Sequence, residues 1–317
     1  MMVDRQRLDL LMSVARSYWI DGKDQGSIAK EIGYSPSMVS RLLSEARKEG
    51  VVTISVGHPL ERAVEMETAL KRHYELRGAT VSLSSATADS TEVSRLAGQV
   101  LVEYLRQDSV VAVSNGHTIS NLVRELKPLR YPHLEIIQAL GAVADNNHLI
   151  DSQEICRILA EKFSSTYRVL PAPLVVSSVQ MAAALRREDR VSTTLTMASH
   201  ADIYLTGIGA TSPQSDGAIF SHYLTQQEHS TLVKAGAVGH IGAHHFNASG
   251  EHLDMDICRR LIAVPFSRIK EIPCVIAVAW GDVKAAAISA ALRGGLVDHL
   301  VTDMDTARLL LGMDRTD

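Results

Sequence analysis

Cysteine is scarce in this chain of 317 residues. Cys156, Cys258 and Cys274 are widely spaced and odd in number, which excludes a disulfide framework and fits reduced, buried thiols. None of them stands in a metal-knuckle spacing or reads as a nucleophile. Long apolar runs are also missing. The longest, such as Cys274 to Trp280, are far too short to span a bilayer, and the start Met1-Met2-Val3-Asp4-Arg5 has no apolar segment behind its charges. A cytoplasmic protein with no membrane partner is therefore expected, and no basic amphipathic helix of useful length argues otherwise. Positive charge is not in excess either: 32 Lys and Arg stand against 36 Asp and Glu, a formal net charge of −4. That excludes nonspecific coating of nucleic acid, but not a sequence-specific reader whose small module carries the phosphate contacts. Walker-type loops, a complete G-x-G-x-x-G at the first strand, internal repeats and low-complexity tracts are all absent, which disfavours a mononucleotide site. What remains is globular, with 46% hydrophobic and 21% charged residues, and long enough for a small module plus one substantial domain.

The small module is legible in residues 24–56. Ile28, Ala29 and Ile32 share one face of a short helix, and Gly33 supplies a Cβ-free position where the chain must turn. Ser35 caps a second helix, and Pro36 suits its first position because the missing N–H would be unpaired there. Val39, Leu42, Leu43 and Ala46 form the buried stripe of this helix. Ser37, Met38, Ser40, Arg41 and Arg47 are left pointing outward or sideways, as in a helix that enters a major groove. An ordinary helical hairpin would share the turn and the cap, but it would more often carry Glu and Lys on this face. Gly50 ends the helix, and Val51 to Val56 alternates like the strand of a wing. A leading helix over residues 5–21 buttresses the pair, and residues 60–76 read as a linker helix, with a possible role in a dimer contact.

From Gly78 onward β-branched runs alternate with helices. Strands are expected at 80–83, 110–114, 134–139, 202–206, 273–279 and 299–302. Helices are expected at 91–106, 119–127, 152–163, 179–187, 284–292 and 305–311. This is the pattern of a mostly parallel sheet covered on both faces, in which ligands bind at the carboxyl ends of strands. Three such ends carry suitable residues. Ser114-Asn115-Gly116-His117-Thr118 offers N–H groups, hydroxyls and an imidazole for an anion. Thr206-Gly207-Ile208-Gly209-Ala210 lets a ligand approach the backbone. Trp280-Gly281-Asp282-Val283-Lys284 places a cation in the first turn of a helix, where the dipole opposes it and a bound anion explains it better. Each loop alone is equally explained by tight turning; their convergence at one edge is the signal. His240, His244, His245, His252, Asp254 and Cys258 invite a metal, but Gly239 and Gly242 argue against the helix that would bring His240 and His244 together. No metal site, no cofactor and no catalytic residue is assigned, because Ser114 and His117 have no acid–base partner in the sequence.

These motifs converge on a known family. The matching stretches are Ile28-Ala29 with Val39-Ser40-Arg41-Leu42-Leu43, then Tyr167-Arg168-Val169-Leu170-Pro171-Ala172-Pro173, Gly207-Ile208-Gly209 and Gly236-Ala237-Val238-Gly239. They continue with Phe246-Asn247-Ala248-Ser249-Gly250, Lys284-Ala285-Ala286-Ala287-Ile288, Ala291-Leu292-Arg293-Gly294-Gly295 and Leu300-Val301-Thr302-Asp303. In order and spacing, over essentially its whole length, the chain resembles the SorC family of sugar-responsive bacterial transcriptional regulators, also called DeoR-like sugar-binding regulators. The resemblance implies a winged helix-turn-helix over 1–57, a linker over 58–77 and an α/β effector domain over 78–317. That domain would be built like the sugar-phosphate isomerases, without their catalysis. It assigns Asn115, Gly116, His117 and Thr118 to a phosphate cradle and Lys284 to the phosphate, with Gly207, Asp151 and His240 completing the effector site. The chain departs from the family pattern where His240 replaces a common acidic residue, Leu140 an arginine, Asp151 a polar amide and Asn115 a tryptophan. Because an imidazole can donate where a carboxylate only accepts, a different effector is expected.

The expected function is regulation of carbohydrate catabolism. A homodimer or homotetramer binds operator DNA through Ser35, Ser37, Met38, Ser40 and Arg41, with its affinity set by a sugar phosphate or polyol. Two alternatives belong to other classes. A sugar-phosphate isomerase-like enzyme with an accessory DNA module would need a paired acid and base. A metabolite sensor without transcriptional output would need an inert helix-turn-helix.

Overall fold

The structure, a computed structural model, describes residues 5–52, 62–83, 90–143, 151–212, 218–220 and 223–312. The chain divides into two compact units, Met1–Gly57 and His58–Asp317.

The first unit holds α1 (Arg5–Trp19), α2 (Gln25–Ile32) and α3 (Pro36–Lys48). Asp24 caps α2, accepting the Ser27 N–H at 2.9 Å, and Gly33 closes that helix in the left-handed region at φ 72°. The turn needs this conformation, which a residue with a Cβ adopts only at a cost. Ser35 caps α3 through the Met38 N–H, with Pro36 at the first helical position. Leu11, Val14, Ile28, Ala29, Val39, Leu42, Leu43 and Ala46 bury together as one small core. Arg7 of α1 pairs with Glu45 of α3 across it. The wing strand expected over 51–56 lies, from Thr53 onward, outside the described residues.

The second unit begins with α4 (Val64–Tyr74), β1 (Gly78–Ser82), α5 (Ser90–Tyr104), β2 (Val110–Val113) and α6 (His117–Glu125). Next come β3 (Glu135–Gln138), α7 (Ser152–Phe163), β4 (Thr166–Arg168), α8 (Val179–Leu185), α9 (Asp189–Ser199) and β5 (Ile203–Ala210). Then follow α10 (Gln226–Lys234), β6 (Gly239–Ile241), β7 (His244–Phe246), α11 (Asp256–Arg259) and α12 (Phe266–Ile269). It ends with β8 (Val275–Val278), α13 (Ala285–Arg293), β9 (His299–Asp303) and α14 (Met304–Gly312).

Seven strands pair in the order β1-β9-β8-β5-β2-β3-β4, every pair parallel. The antiparallel hairpin β6–β7 extends the far end of β5. Period-two alternation sends Val111, Val113 and Val301 to the face covered by α5, α6 and α7. Ala112, Ala277 and Leu300 go to the opposite face, with α13 and α14. Two covered faces explain why the central strands read as near-continuous apolar runs.

From β2 the chain passes to β3 and β4 on one side, then returns to place β5 on the other. The carboxyl ends of β2 and β5 therefore flank the point where strand order reverses, the usual ligand crevice of open α/β sheets.

The segment read as a linker, 58–77, holds α4, which packs within the second unit. Tyr74 donates to the Leu310 carbonyl at 3.0 Å. The buried Glu67 carboxylate accepts from the Arg62 guanidinium at 2.8 Å and from the Val81 N–H at 3.0 Å. The expected strands and helices of this unit are present with ends shifted by a few residues, whereas β4, β6, β7, α9, α10, α11 and α12 were not anticipated. β4 is three exposed residues at the sheet edge, and α9 carries Ser192, Thr193 and Thr194, poor helix formers. For α10 a signal existed: Thr225 and Glu228 form a complete capping box.

Candidate functional site

On the first unit, α3 buries Val39, Leu42, Leu43 and Ala46 and turns Ser37, Ser40, Arg41, Ser44 and Lys48 outward. Exposed residues at three- and four-residue spacing share one face of a helix. Arg41 is the exposed cation in the first half of this face, the part of a recognition helix that reaches base edges. Not every expected contact residue is equally available. Ser35 spends its hydroxyl on the cap and on a 2.9 Å hydrogen bond with Ser37, and Met38 is half-buried against the core. Arg47 stacks over Trp19 with 5.3 Å between guanidinium carbon and ring centroid, a cation–π contact. Two exposed residues beside this face, Tyr34 and Ser44, escaped the sequence reading.

On the second unit, a cavity of about 430 Å³ opens at the carboxyl ends of β2, β5 and β8, a volume typical of small-molecule sites. It gathers Asn115, Gly116, His117, Thr118, Gly207, His240 and Lys284, seven residues expected from sequence. Asp151, the eighth residue expected there, stands apart from these seven. It caps α7, its Oδ1 accepting the Gln153 N–H at 3.1 Å, and is not among the residues that line the cavity. Thr206, Trp280 and Asp282 line the cavity as well; they stood in the loops singled out from sequence, without an assigned role.

Three local devices shape the cavity. At the first, Gly116 precedes α6 at φ 114° and provides no side-chain cap, so the first-turn N–H groups of this helix are offered at the cavity wall. Ser114 and Asn115 beside it are buried.

At the second, Gly281 turns at φ 101°, and its N–H donates to Thr306 Oγ1 at 2.8 Å, while the Thr306 N–H donates to Asp303 at 2.8 Å. This chain of bonds fastens the turn carrying Lys284 to the start of α14. Lys284 sits at the cap of α13, one residue before the helix expected to contain it. Burial pushes its pKa below the ordinary value, with no neighbouring charge contributing. Of the described lining residues only Asp282 is a carboxylate; it is exposed, and its Oδ1 accepts the Val283 N–H at 2.8 Å.

At the third, β6 lays His240 opposite Gly209 of β5. A Cβ on Gly209 would overlap the His240 ring, whereas one on Gly207 would meet only the Val278 carbonyl oxygen at 3.8 Å. Gly209 is thus demanded by packing, and Gly207 leaves room in the cavity. Phe220 meets the imidazole edge-on at 5.1 Å between centroids.

The hairpin also explains the histidine-rich stretch. His240 is paired with His245, not with His244. His244 Nε2–H donates to the Val264 carbonyl, 2.9 Å away, and burial lowers its pKa to about 3, so it is neutral. Among the described residues no group of three or more His, Cys, Asp or Glu side chains is arranged to hold a metal ion.

A helix-turn-helix unit joined to a doubly wound sheet with a cationic cavity at its switch point is the build of a ligand-responsive DNA-binding regulator. The chain matches the sugar-binding domain family, Sugar-bind, over residues 58–312. The transcriptional regulator LsrR of Escherichia coli O9:H4 is 32% identical over 302 residues, covering 94% of this chain and 93% of the relative. LsrR of an Enterobacter species is 29% identical over 309 residues, covering 96% and 93%. Among solved structures, the full-length sorbitol operon regulator SorC of Klebsiella pneumoniae shares the fold with a TM-score of 0.75 at 21% identity, covering 96% of this chain and 99% of that one. The sugar-binding domain of a Vibrio fischeri transcriptional repressor aligns with a TM-score of 0.72 at 26% identity, covering 80% and 100%. The chain belongs to the SorC family of transcriptional regulators with a sugar-binding domain.

Proposed function

We propose that this regulator binds operator DNA through α3 as a homodimer or homotetramer, and that a phosphorylated sugar in the cavity sets its operator affinity. The observation that carries the ligand class is Lys284. Holding a half-buried ammonium without an ion pair among the described residues opposes folding, and the expense is recovered when an anion arrives between it and the uncapped N-terminus of α6. A neutral polyol would leave that charge unmatched. On the DNA side, Arg41 supplies the base or phosphate contact, flanked by Ser37 and Ser40. Two recognition helices in an oligomer would meet the two halves of a palindromic operator. By linkage, an effector that weakens operator binding binds the DNA-bound form more weakly by the same factor, typically ~1–3 kcal/mol. The reading assigns no reaction to the cavity and places the protein in the cytoplasm.

A mobility shift with the DNA upstream of the chain's own coding region, with and without sugar phosphates, tests both halves. A shift altered by phosphorylated sugars but not by their free sugars is expected. No shift under any condition overturns the DNA half. A response to free polyols alone overturns the phosphate half.

A further inference from the structure

The turn that carries Lys284 is tied into the fold beyond the cavity. Its Gly281 N–H donates to the Thr306 hydroxyl, and the Thr306 N–H donates to Asp303 Oδ1, both at 2.8 Å. Thr306 and Asp303 are buried. A hydrogen bond broken there leaves a polar group that water does not reach, so motion at one end of the set is resisted at the other.

Both ends of α4 connect to this same place. At its last residue, Tyr74 reaches α13 and α14 at once: Oη lies 2.9 Å from Ser289 Oγ and 3.0 Å from the Leu310 carbonyl oxygen. A carbonyl only accepts, so the single phenolic proton goes to Leu310 and the Ser289 hydroxyl donates to Tyr74. Helix α13 starts next to Lys284, and α14 holds Thr306 in its first turn. At the other end, the Ala63 N–H donates to the Val81 carbonyl at 2.9 Å, and buried Glu67 accepts from the Val81 N–H. Val81 precedes Ser82, which stands opposite Asp303 in the β1–β9 register. Thr306 is thus linked to the start of α4 through Asp303 and β1, and to its end through α14 and Tyr74. Valine at 306 and phenylalanine at 74 would fill the same space; the two hydroxyls add specific links between the cavity and this helix.

The place of α4 in the chain gives those links a use. The first unit ends at Gly57, and α4 is the first described helix of the second. Any change that the cavity imposes on the DNA-binding unit along the backbone of the same chain passes through it. We infer that Thr306 and Tyr74 are positioning residues that carry effector occupancy from the Lys284 turn to α4, and so to operator affinity. This rests on the phosphate reading of Lys284 and names the path of the response. An anion on Lys284 and the start of α6 orders the turn at Gly281, and through the two hydroxyls that order reaches α4, whose local opening becomes rarer.

The test is amide hydrogen exchange on the full-length protein, with and without saturating inorganic phosphate at matched ionic strength. In the wild type, phosphate should slow exchange at residues 117–120 and, by about fivefold or more, at residues 68–74 of α4. In Tyr74→Phe and in Thr306→Val the slowing at 117–120 should persist, while that at 68–74 falls below about twofold. Thr306→Ser keeps the hydroxyl and should restore it. A purely structural role would speed exchange in α4 equally with and without phosphate and leave the ratio unchanged. Ser289→Ala takes the place of Tyr74→Phe should that variant not fold. An α4 ratio near one in the wild type, or a ratio that survives in either variant, overturns the inference. Slowing at 117–120 alone leaves the phosphate reading standing and removes only the path; no slowing at either segment removes both. On upstream DNA, Tyr74→Phe should keep the ligand-free mobility shift and lose the response to any sugar phosphate that alters the wild-type shift. A full response in that variant overturns the inference as well. A wild-type shift that no sugar phosphate alters removes the regulatory reading, with operator affinity as the end of the path, while the exchange ratios still decide the coupling to α4.

Discussion

Replacing Lys284 with Met separates two consequences of one half-buried charge. Methionine retains an unbranched stem of similar length, so the cavity wall stays filled while the ammonium is lost. Without ligand, the wild-type ammonium is held in a place that disfavours its protonated form, and its pKa lies below the ordinary 10.5. The unfolded chain therefore binds the proton more tightly. At neutral pH, below both values, the penalty on the native state is complete; it fades as pH rises through the depressed value and vanishes above 10.5. Lys284→Met should raise the denaturation midpoint at pH 7, and the gain over wild type should shrink as pH approaches the ordinary lysine value. With ligand the sign reverses. A hydrogen bond to a charged group is worth ~1.5–3 kcal/mol, so the dissociation constant of a bound sugar phosphate should rise about 10- to 150-fold. The N–H groups at the start of α6 remain, contributing ~0.3–1 kcal/mol, so weak binding persists. Calorimetry on the full-length variant, with denaturation at two pH values, reads both effects. A dissociation constant changed less than about threefold, together with a native state less stable than wild type, would refute the assignment, because Lys284 would then be a structural cation with a partner.

Arg41→Ala should weaken binding to an upstream DNA duplex by ~1–3 kcal/mol if the guanidinium reads a base edge, or lower the salt slope by about one if it meets a phosphate; unchanged affinity and slope would remove it from the interface. Gly209→Ala should cost ~1–3 kcal/mol in stability by forcing the His240 ring aside, while Gly207→Ala should stay within about 0.5 kcal/mol of wild type in stability and weaken sugar-phosphate binding by intruding on the cavity. Equal melting temperatures for the two variants would contradict this packing. His299, bonded to Thr80 at 2.9 Å, has its pKa lowered by burial and by Arg62 and Lys71 from 6.5 to about 4. The unfolded chain takes up the proton first, so the histidine contributes a loss of stability as pH falls from 6.5 toward 4. The fall should be shallower in His299→Gln, as read by urea denaturation across that range.

How much was legible depended on the range of the interaction that fixes each feature. In the first unit the cap at Ser35, the turn at Gly33 and the stripe Val39, Leu42, Leu43 and Ala46 are local devices, set by neighbours within one or two helical turns, and sequence spacing reports them directly. The same locality let the strand-end loops at Ser114, Thr206 and Trp280 be singled out before their meeting in one cavity was visible. At Asp151 the sequence context is the same whether the carboxylate binds a ligand or caps a helix, and in the structure its Oδ1 caps α7. Met38 stands where an outward residue was expected, and the nearby core draws it half inside. The hairpin β6–β7 was invisible as structure because its registration depends on β5, some thirty residues earlier in the chain.

By itself, then, the sequence determined the local elements, the covered parallel sheet and the lysine at the head of α13, because periodicity, capping and dipole effects act over a few residues. Only the tertiary structure decided that β2, β5 and β8 lie side by side with their carboxyl ends together, that Lys284 is half-buried in the wall of the cavity they form, and that His240 leans over Gly209 into the same space. Strand order and cross-strand register are settled by packing of both sheet faces across hundreds of residues, and no local pattern encodes that sum.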